Sequence, residues 1–325
     1  MFKNIIHLLS ILLIFSVIIC DEKITFDHLL ENLRKDAKMK LMAVAGADNA
    51  ETLKTSRLAK DMKICDSILI GAEQKIKEIA KQENIDISDF KIVNYEDNSE
   101  ISKYAARLVH DGLADMYVKG SIETRDVLKA ILDNEVGLRT KDIISLVAVF
   151  EIKGRLWFLT DPSVVPYPTL QNKVQLIQNA VKFARSTGIK LPKVAAVTAL
   201  SIVNPGMEET IEANELVKMN EKGKIKDCIV DGPLSFDLAI SPQSAIIKKS
   251  KRKINGDADI ILFPDVHAAN ISYKILTQLG NAKSGNILLG TSKPVILSSR
   301  SDSVQTKLNS VILGFTYDKF NAERN

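Results

Sequence analysis

Residues 298 to 303 read Ser-Ser-Arg-Ser-Asp-Ser, four hydroxyls, a guanidinium and a carboxylate in six positions. The β-formers of 293–297 precede them and a helical periodicity over 304–313 follows, so the knot occupies a strand-to-helix turn. The free N–H groups at a helix start and the positive end of its dipole favour an anion there. Arg300 adds a planar fork of donors, and Ser299, Ser301 and Ser303 add hydroxyls. Ordinary capping is the competing explanation, since Asp302 or Ser303 can serve as an N-cap. A cap uses one of these groups and leaves Arg300 and the other hydroxyls idle, which points to an anion site, a phosphate above all.

Three further strand ends carry polar clusters. Lys119, Gly120 and Ser121 follow the strand of "ADMYVKG", Asp161 ends a hairpin in "TDP", and Asp265, His267 and Asn270 lie between a strand and a helix in "FPDVHAAN". Taken singly, Lys119 is equally a surface charge, Asp161 a turn residue before Pro162, and Asn270 a helix cap. Their shared position at βα turns raises them together. Gly232 and Pro233 predict a tight turn at another strand end.

Other chemistries lack their motifs. No GxGxxG follows a strand and no GxxxxGK[ST] is present, so neither a dinucleotide fingerprint nor a P-loop is signalled. Cys20, Cys65 and Cys228, and His7, His28, His110 and His267, have no metal-ligand or disulfide-framework spacing. The net charge of +4 gives no global pull on nucleic acid. A local basic run, Lys248, Lys249, Lys251, Arg252 and Lys253, has no interleaved aromatics and reads as a solvated loop in preference to a polyanion contact.

The elements that must position these residues alternate. With 325 residues, 46% hydrophobic and 26% charged, the chain is long enough for two cores. Strands at 40–46, 67–71, 90–95 and 114–120 alternate with helices from Asp48 or Asn49 to Lys60, and over 73–82, 101–113 and 124–132, which is a βαβ rhythm and a mostly parallel sheet. A hairpin over 144–161, turning at Lys153 and Gly154, breaks that rhythm and marks a second domain. Helices at 172–184, 208–219, around 235–240 and 270–279, with strands at 193–199, 227–232 and 259–264, then resume it. The expected fold is a two-domain open α/β protein with ligands at strand ends and in an interdomain cleft. Residues 1–22 form an apolar leader, signal-like, anchoring or an over-extended start. The first domain comprises 23–141 plus 285–325, and the second 142–284.

The stretches "VDGPLSFDLAIS", "NGDADIILFPDVHAANISYKIL", "EVGLRT", "LVAVFEI" and "SSRSDSVQTKLNS" resemble the phosphate acyltransferase family of phosphate acetyltransferases and phosphate butyryltransferases. The similarity runs from about Ile24 to the C-terminus, and the Arg-Ser-Asp-Ser turn followed by Thr-Lys is closer to the butyryl branch. The resemblance implies a fold related to isocitrate and isopropylmalate dehydrogenases, a homodimer, a cytoplasmic setting, and an active site in the cleft. It implies the reaction of butyryl-CoA with phosphate to give butyryl phosphate and CoA, with no bound cofactor or metal, coupled in function to an acyl kinase and not to nucleic acid. It also implies substrate contacts from Arg139 and Thr140 of "EVGLRT", beside Lys119, Gly120, Asp161, Asp265, Asn270, Ser301 and Ser303.

That chemistry needs a phosphate pocket, donors for a tetrahedral oxyanion, and in the CoA-acylating direction a base for a thiol of reference pKa about 8.5. Ser299 and Arg300 are the expected catalytic donors and Asp302 the expected base. Asp302 is a substitute, because Thr306 stands where the acetyl branch has its catalytic carboxylate. Leu146 replaces a family His, His267-Ala268-Ala269-Asn270 replaces Glu-Ala-Gly-Asn, and "PSVVPYP" after Asp161 also departs from the family pattern. The alternatives are acetyl-CoA as substrate, a β-decarboxylating dehydrogenase on the same fold, and an exported two-lobed solute-binding protein.

Overall fold

The computed structural model describes residues 24–36 and 39–324, so the leader lies outside the described residues. The first βα series comprises α1 (Phe26–Arg34), β1 (Lys40–Ala45), α2 (Ala50–Asp61), β2 (Cys65–Gly71), α3 (Glu73–Gln82), β3 (Lys91–Asn94), α4 (Asn98–His110), β4 (Met116–Lys119) and α5 (Thr124–Ile131). The hairpin follows as β5 (Ser145–Ile152) and β6 (Arg155–Thr160), with Lys153 and Gly154 both at positive φ in its turn. Beyond it come α6 (Leu170–Ser186), β7 (Lys193–Val197), α7 (Glu208–Glu221), β8 (Ile229–Leu234), α8 (Phe236–Ile240), α9 (Pro242–Ile247), β9 (Ile260–Leu262) and α10 (Val266–Lys274). A π-helical turn (Ile275–Leu279), β10 (Lys283–Leu289), β11 (Val295–Ile296) and α11 (Val304–Ala322) complete the chain.

One eleven-stranded sheet runs through the protein in the order β3-β2-β1-β4-β11-β10-β5-β6-β9-β7-β8. Its pairings are parallel except at the centre, where β11–β10, β10–β5 and β5–β6 are antiparallel. The central reversals turn the two parallel sets against each other. The carboxyl ends of β1, β4 and β11 point one way, and those of β6, β9, β7 and β8 the other.

Local chemistry explains the helix starts. Asn49 caps α2 by accepting from Thr52 N at 2.8 Å, Thr169 and Asn172 form a capping box at α6, and Asp265 caps α10 through Ala268 N. Helix α11 is buried from Lys307 to Phe315 on every side, because it packs against β10, α1, α2 and α6. Among the described residues no helix is long and apolar enough to cross a membrane.

Several expectations are corrected. Strand β10 has no counterpart in the sequence reading, although it lies in mid-sheet. Its first half is Lys-Ser-Gly-Asn, of which Lys283 is exposed while Ser284 and Asn286 are buried under α11, Ser310 Oγ accepting from Asn286 N at 2.9 Å and Asn309 Nδ2 donating to Ser284 O at 2.9 Å. Gly232 and Pro233 lie inside β8 and not in a turn, and Gly232 is there because a Cβ would come within 2.9 Å of the Ala196 Cβ. Helix α10 begins four residues before Asn270, so Asp265 and not Asn270 is its cap.

Candidate functional site

A cavity of about 350 Å³ opens where the two opposed sets of strand ends meet across the sheet centre. Lys119 enters from the end of β4, Leu297 to Arg300 from the segment after β11, and Pro162 and Ser163 from the turn after β6. Leu146 of β5 and Asn286 of β10 form its floor, and Asn270 and Tyr273 of α10 reach it from above the sheet. Its size lies at the low end of the roughly 300–1,000 Å³ range of ligand sites.

Lys119 is only 4% exposed, and its Nζ donates to the Ser298 carbonyl at 3.1 Å. Among the described residues it makes no ion pair with a carboxylate. Burial, then the charges of Lys307 and Arg300, push its pKa down to about 8 against the opposing pull of Glu123 and Asp302. Lys307, 5% exposed on the first turn of α11, donates to the adjacent Ser299 carbonyl at 2.9 Å, and burial lowers its pKa against the pull of Asp302 and Glu51. Two buried ammonium groups therefore hold consecutive carbonyls of the anion-site turn.

The rest of that turn is fixed from within. Asp302 accepts from Ser299 N at 2.7 Å, the hydroxyls of Ser299 and Ser301 are 3.1 Å apart, and Ser303 caps α11 by accepting from Thr306 N at 3.1 Å. Arg300 folds toward the β4–α5 loop, where Nε and Nη2 donate to Ser121 O at 3.2 and 3.0 Å and Nη2 lies 2.7 Å from Glu123 Oε1. Ser299 and Arg300 line the cavity, whereas Ser301, Asp302 and Ser303 stand behind it. Gly120 holds the β4 end in place, its N–H donating to Ala45 O at 2.8 Å. A Cβ on Gly120 would sit 1.9 Å from the Gly46 carbonyl oxygen.

The remaining expected residues divide. Asn270 lines the cavity and donates to Pro162 O at 2.9 Å. Asp161 is 3% exposed and turned away from the cavity space. It accepts from Leu146 N, Ser163 N and Val164 N at 3.1, 2.8 and 2.9 Å, and burial raises its pKa against those bonds. Asp265 lines a separate cleft with Tyr167 and Glu208. Arg139 and Thr140 are exposed beside the β10–β11 loop, Arg139 bridging Thr291 and Thr140 Oγ1 donating to Gly290 O at 2.8 Å, and neither lines the cavity.

Sequence reasoning missed Lys307, Tyr273 and Asn286. Lys307 reads as the ordinary polar position of an amphipathic helix, and only the burial of α11 on all sides makes it internal. Asn286 hides in the unrecognised β10, and Tyr273 in a helix whose start was misplaced. The Asn286 Oδ1 and the Ser298 Oγ are buried without a hydrogen-bond partner, and both residues face the cavity. Beside the Lys119 ammonium the Ser298 hydroxyl is a donor suited to an anionic guest, whereas the Asn286 Oδ1 can only accept.

Two other features carry less chemistry. A larger cleft of about 540 Å³ between α6, the end of α11 and the Lys226–Asp227 loop contains none of the strand-end residues. In the basic run, Lys248 pairs with Asp237 at 2.7 Å and Lys253 with Glu221 at 2.7 Å, as in a solvated, charge-balanced loop. Among the described residues no three His, Cys, Asp or Glu side chains gather as a metal cluster.

The chain is similar to known proteins over most of its length. The sequence matches the family described as "Phosphate acetyl/butaryl transferase" over residues 24–109 and 98–315. A phosphate butyryltransferase of Clostridium beijerinckii is 43% identical over 290 residues, covering 89% of this chain and 96% of that protein. The crystal structure of a branched-chain phosphotransacylase from Enterococcus faecalis superposes with a TM-score of 0.77 at 32% identity, covering 86% of this chain and 99% of that one. A 4-hydroxythreonine-4-phosphate dehydrogenase from Klebsiella pneumoniae, at 11% identity and a TM-score of 0.55, covers 86% of this chain and 100% of its own and shares the dehydrogenase-like fold alone.

Proposed function

The chain belongs to the phosphate acetyl/butyryl transferase family and is an acyltransferase, and from that premise we propose that it converts butyryl-CoA and phosphate into butyryl phosphate and CoA in the cavity at the sheet centre. The observation that carries the assignment of the site is Lys119: a buried ammonium with no carboxylate partner among the described residues, facing a cavity shared with Ser299 and Arg300. A buried cation is stable when a counter-charge reaches it, and a phosphate dianion supplies that charge.

In the proposed reaction a phosphate oxygen held by Lys119 and the Arg300 fork attacks the thioester carbonyl. Charge develops on the carbonyl oxygen, where the Ser298 and Ser299 hydroxyls are the available donors. The C–S bond then breaks, and the proton that phosphate gives up goes to the departing sulfur. Asp302 stands behind the cavity wall, so its proposed part in carrying that proton runs through the Tyr273 hydroxyl beside it, and its charge also favours the cationic form of Lys119. Lys307 acts by holding the Ser299 carbonyl and thereby the turn.

Other parts of the reading are proposals of the same kind. Residues 23–141 with 285–325 form one lobe and 142–284 the other, the cavity lying in the cleft between them. Arg139 and Thr140, outside the cavity, are proposed contacts for the more distant phosphates of CoA, and Asp265, a carboxylate, for its hydrogen-bond donors. The working form is a homodimer in the cytoplasm, where CoA and acyl phosphates are available, with an acyl kinase as the consumer of the product. The test is the release of free thiol from butyryl-CoA with and without phosphate. Release that requires phosphate supports the reading, and equal rates without phosphate overturn it.

A further inference from the structure

The cavity lining is of two chemical kinds: Lys119, Ser298, Ser299 and Arg300 present charge and donors, and Leu146, Pro162, Leu297 and the Tyr273 ring present apolar surface. Leu146 and Leu297 are 7% and 8% exposed and belong to one buried cluster with Leu288 and Val295. Tyr273 belongs to the cluster on the other side, where its ring packs on Phe150 at 5.7 Å between centroids. Leu146, Leu297 and Tyr273 are thus core residues that also line the cavity.

This wall is rigidly held. Leu146 is in register with Leu288 on β10, and its N–H is tied to Asp161. The same carboxylate takes the N–H groups of Ser163 and Val164, so one buried group joins the start of β5 to the turn that carries Pro162 and Ser163 into the cavity. A wall with so little freedom has a fixed depth.

We propose that Leu146, with Leu297, Pro162 and the Tyr273 ring, measures the length of the acyl chain, and that Asp161 is the positioning residue that sets the depth of this gauge. The inference rests on the acyltransferase reading. A short saturated chain offers no polar handle, so its length is sensed only by how many methylenes leave water against apolar surface, about fourfold in affinity for each one. Two methylenes separate butyryl from acetyl, which makes about fifteenfold.

The test compares kcat/KM for acetyl-, propionyl-, butyryl- and valeryl-CoA at saturating phosphate in the full chain and in Leu146→Phe, Leu146→Ala and Asp161→Asn. Leu146→Phe should cut the butyryl-to-acetyl ratio about tenfold or more, and Leu146→Ala should extend acceptance to valeryl. In both, the KM for phosphate should stay within about twofold. Asp161→Asn should flatten the acyl profile at an unchanged phosphate KM. An equal loss of kcat for every thioester would reduce Asp161 to a structural role. Should Leu146→Phe fail to fold, Leu146→Val reads the same ratio with one methylene removed, and a shift toward valeryl is expected. Acyl ratios within about twofold of the parent in the active Leu146 variants overturn the gauge while leaving the acyltransferase reading intact. A parent protein with no phosphate-dependent release from any thioester overturns that reading, and the gauge with it.

Discussion

Lys119 and Lys307 grip neighbouring carbonyls of a single turn, the first donating to Ser298 O at 3.1 Å and the second to Ser299 O at 2.9 Å. One comes from the end of a strand in the first half of the sheet and the other from the last helix, so the turn between β11 and α11 is clamped by two buried cations. Only the first of them lines the cavity.

Replacing that cation separates function from stability. In Lys119→Met, kcat/KM for phosphate should fall about 10- to 150-fold, the size of a charge-assisted hydrogen bond of about 1.5–3 kcal/mol. The melting temperature should hold or rise, because an unpaired buried charge is removed while most of the volume is kept. Steady-state kinetics and a thermal melt on the same preparation check both halves.

The pH dependence follows from Lys119 having its pKa pushed down to about 8 from an ordinary 10.5. Its cationic form holds phosphate, so the KM for phosphate should climb above pH 8, approaching tenfold per pH unit. Between about pH 8 and 10.5 the unfolded chain binds more protons at this group than the folded one, so its contribution to stability increases with pH across that window. Bound phosphate raises the folded value and should flatten the increase. Melting curves from pH 8 to 10.5, with and without phosphate, carry the test.

Arg300 and Glu123 should act in opposite directions. Both line the cavity, and their ion pair of 2.7 Å is exposed at 64% and 59%. Such a pair contributes little to stability. Arg300→Ala should raise the phosphate KM, and Glu123→Gln should lower it by releasing the guanidinium and removing a repelling charge. A KM that rises in both variants would show that the pair functions as a unit.

Gly120→Ala tests the backbone under Lys119. The new Cβ would overlap the Gly46 carbonyl oxygen, forcing the β1–α2 and β4–α5 loops apart. Overpacking of this kind costs about 1–3 kcal/mol. Thermal melts should show the loss, and phosphate binding should weaken with it because Lys119 moves.

Much of this was legible in the sequence. The βα rhythm, the central hairpin and the strand-end positions of Lys119, Ser299 and Arg300 follow from local periodicity and turn chemistry. What was hidden depends on partners distant in the chain. Strand β10 pairs with β5 and β11 and is covered by α11, so its polar half looks like a loop until Asn309 and Ser310 are placed on it. Lys307 has the same cause. Asp161 reads as a substrate ligand because a carboxylate at a strand end usually faces solvent, whereas here three backbone N–H groups claim it.

The most direct measurement is phosphorus-31 NMR of the protein with butyryl-CoA and inorganic phosphate, with free thiol titrated in parallel. An acyl-phosphate resonance growing one-for-one with thiol, and suppressed in Lys119→Met, is expected of a phosphate acyltransferase whose anion site is built on Lys119. Thiol appearing with no acyl-phosphate signal, or a signal undiminished in Lys119→Met, would contradict it.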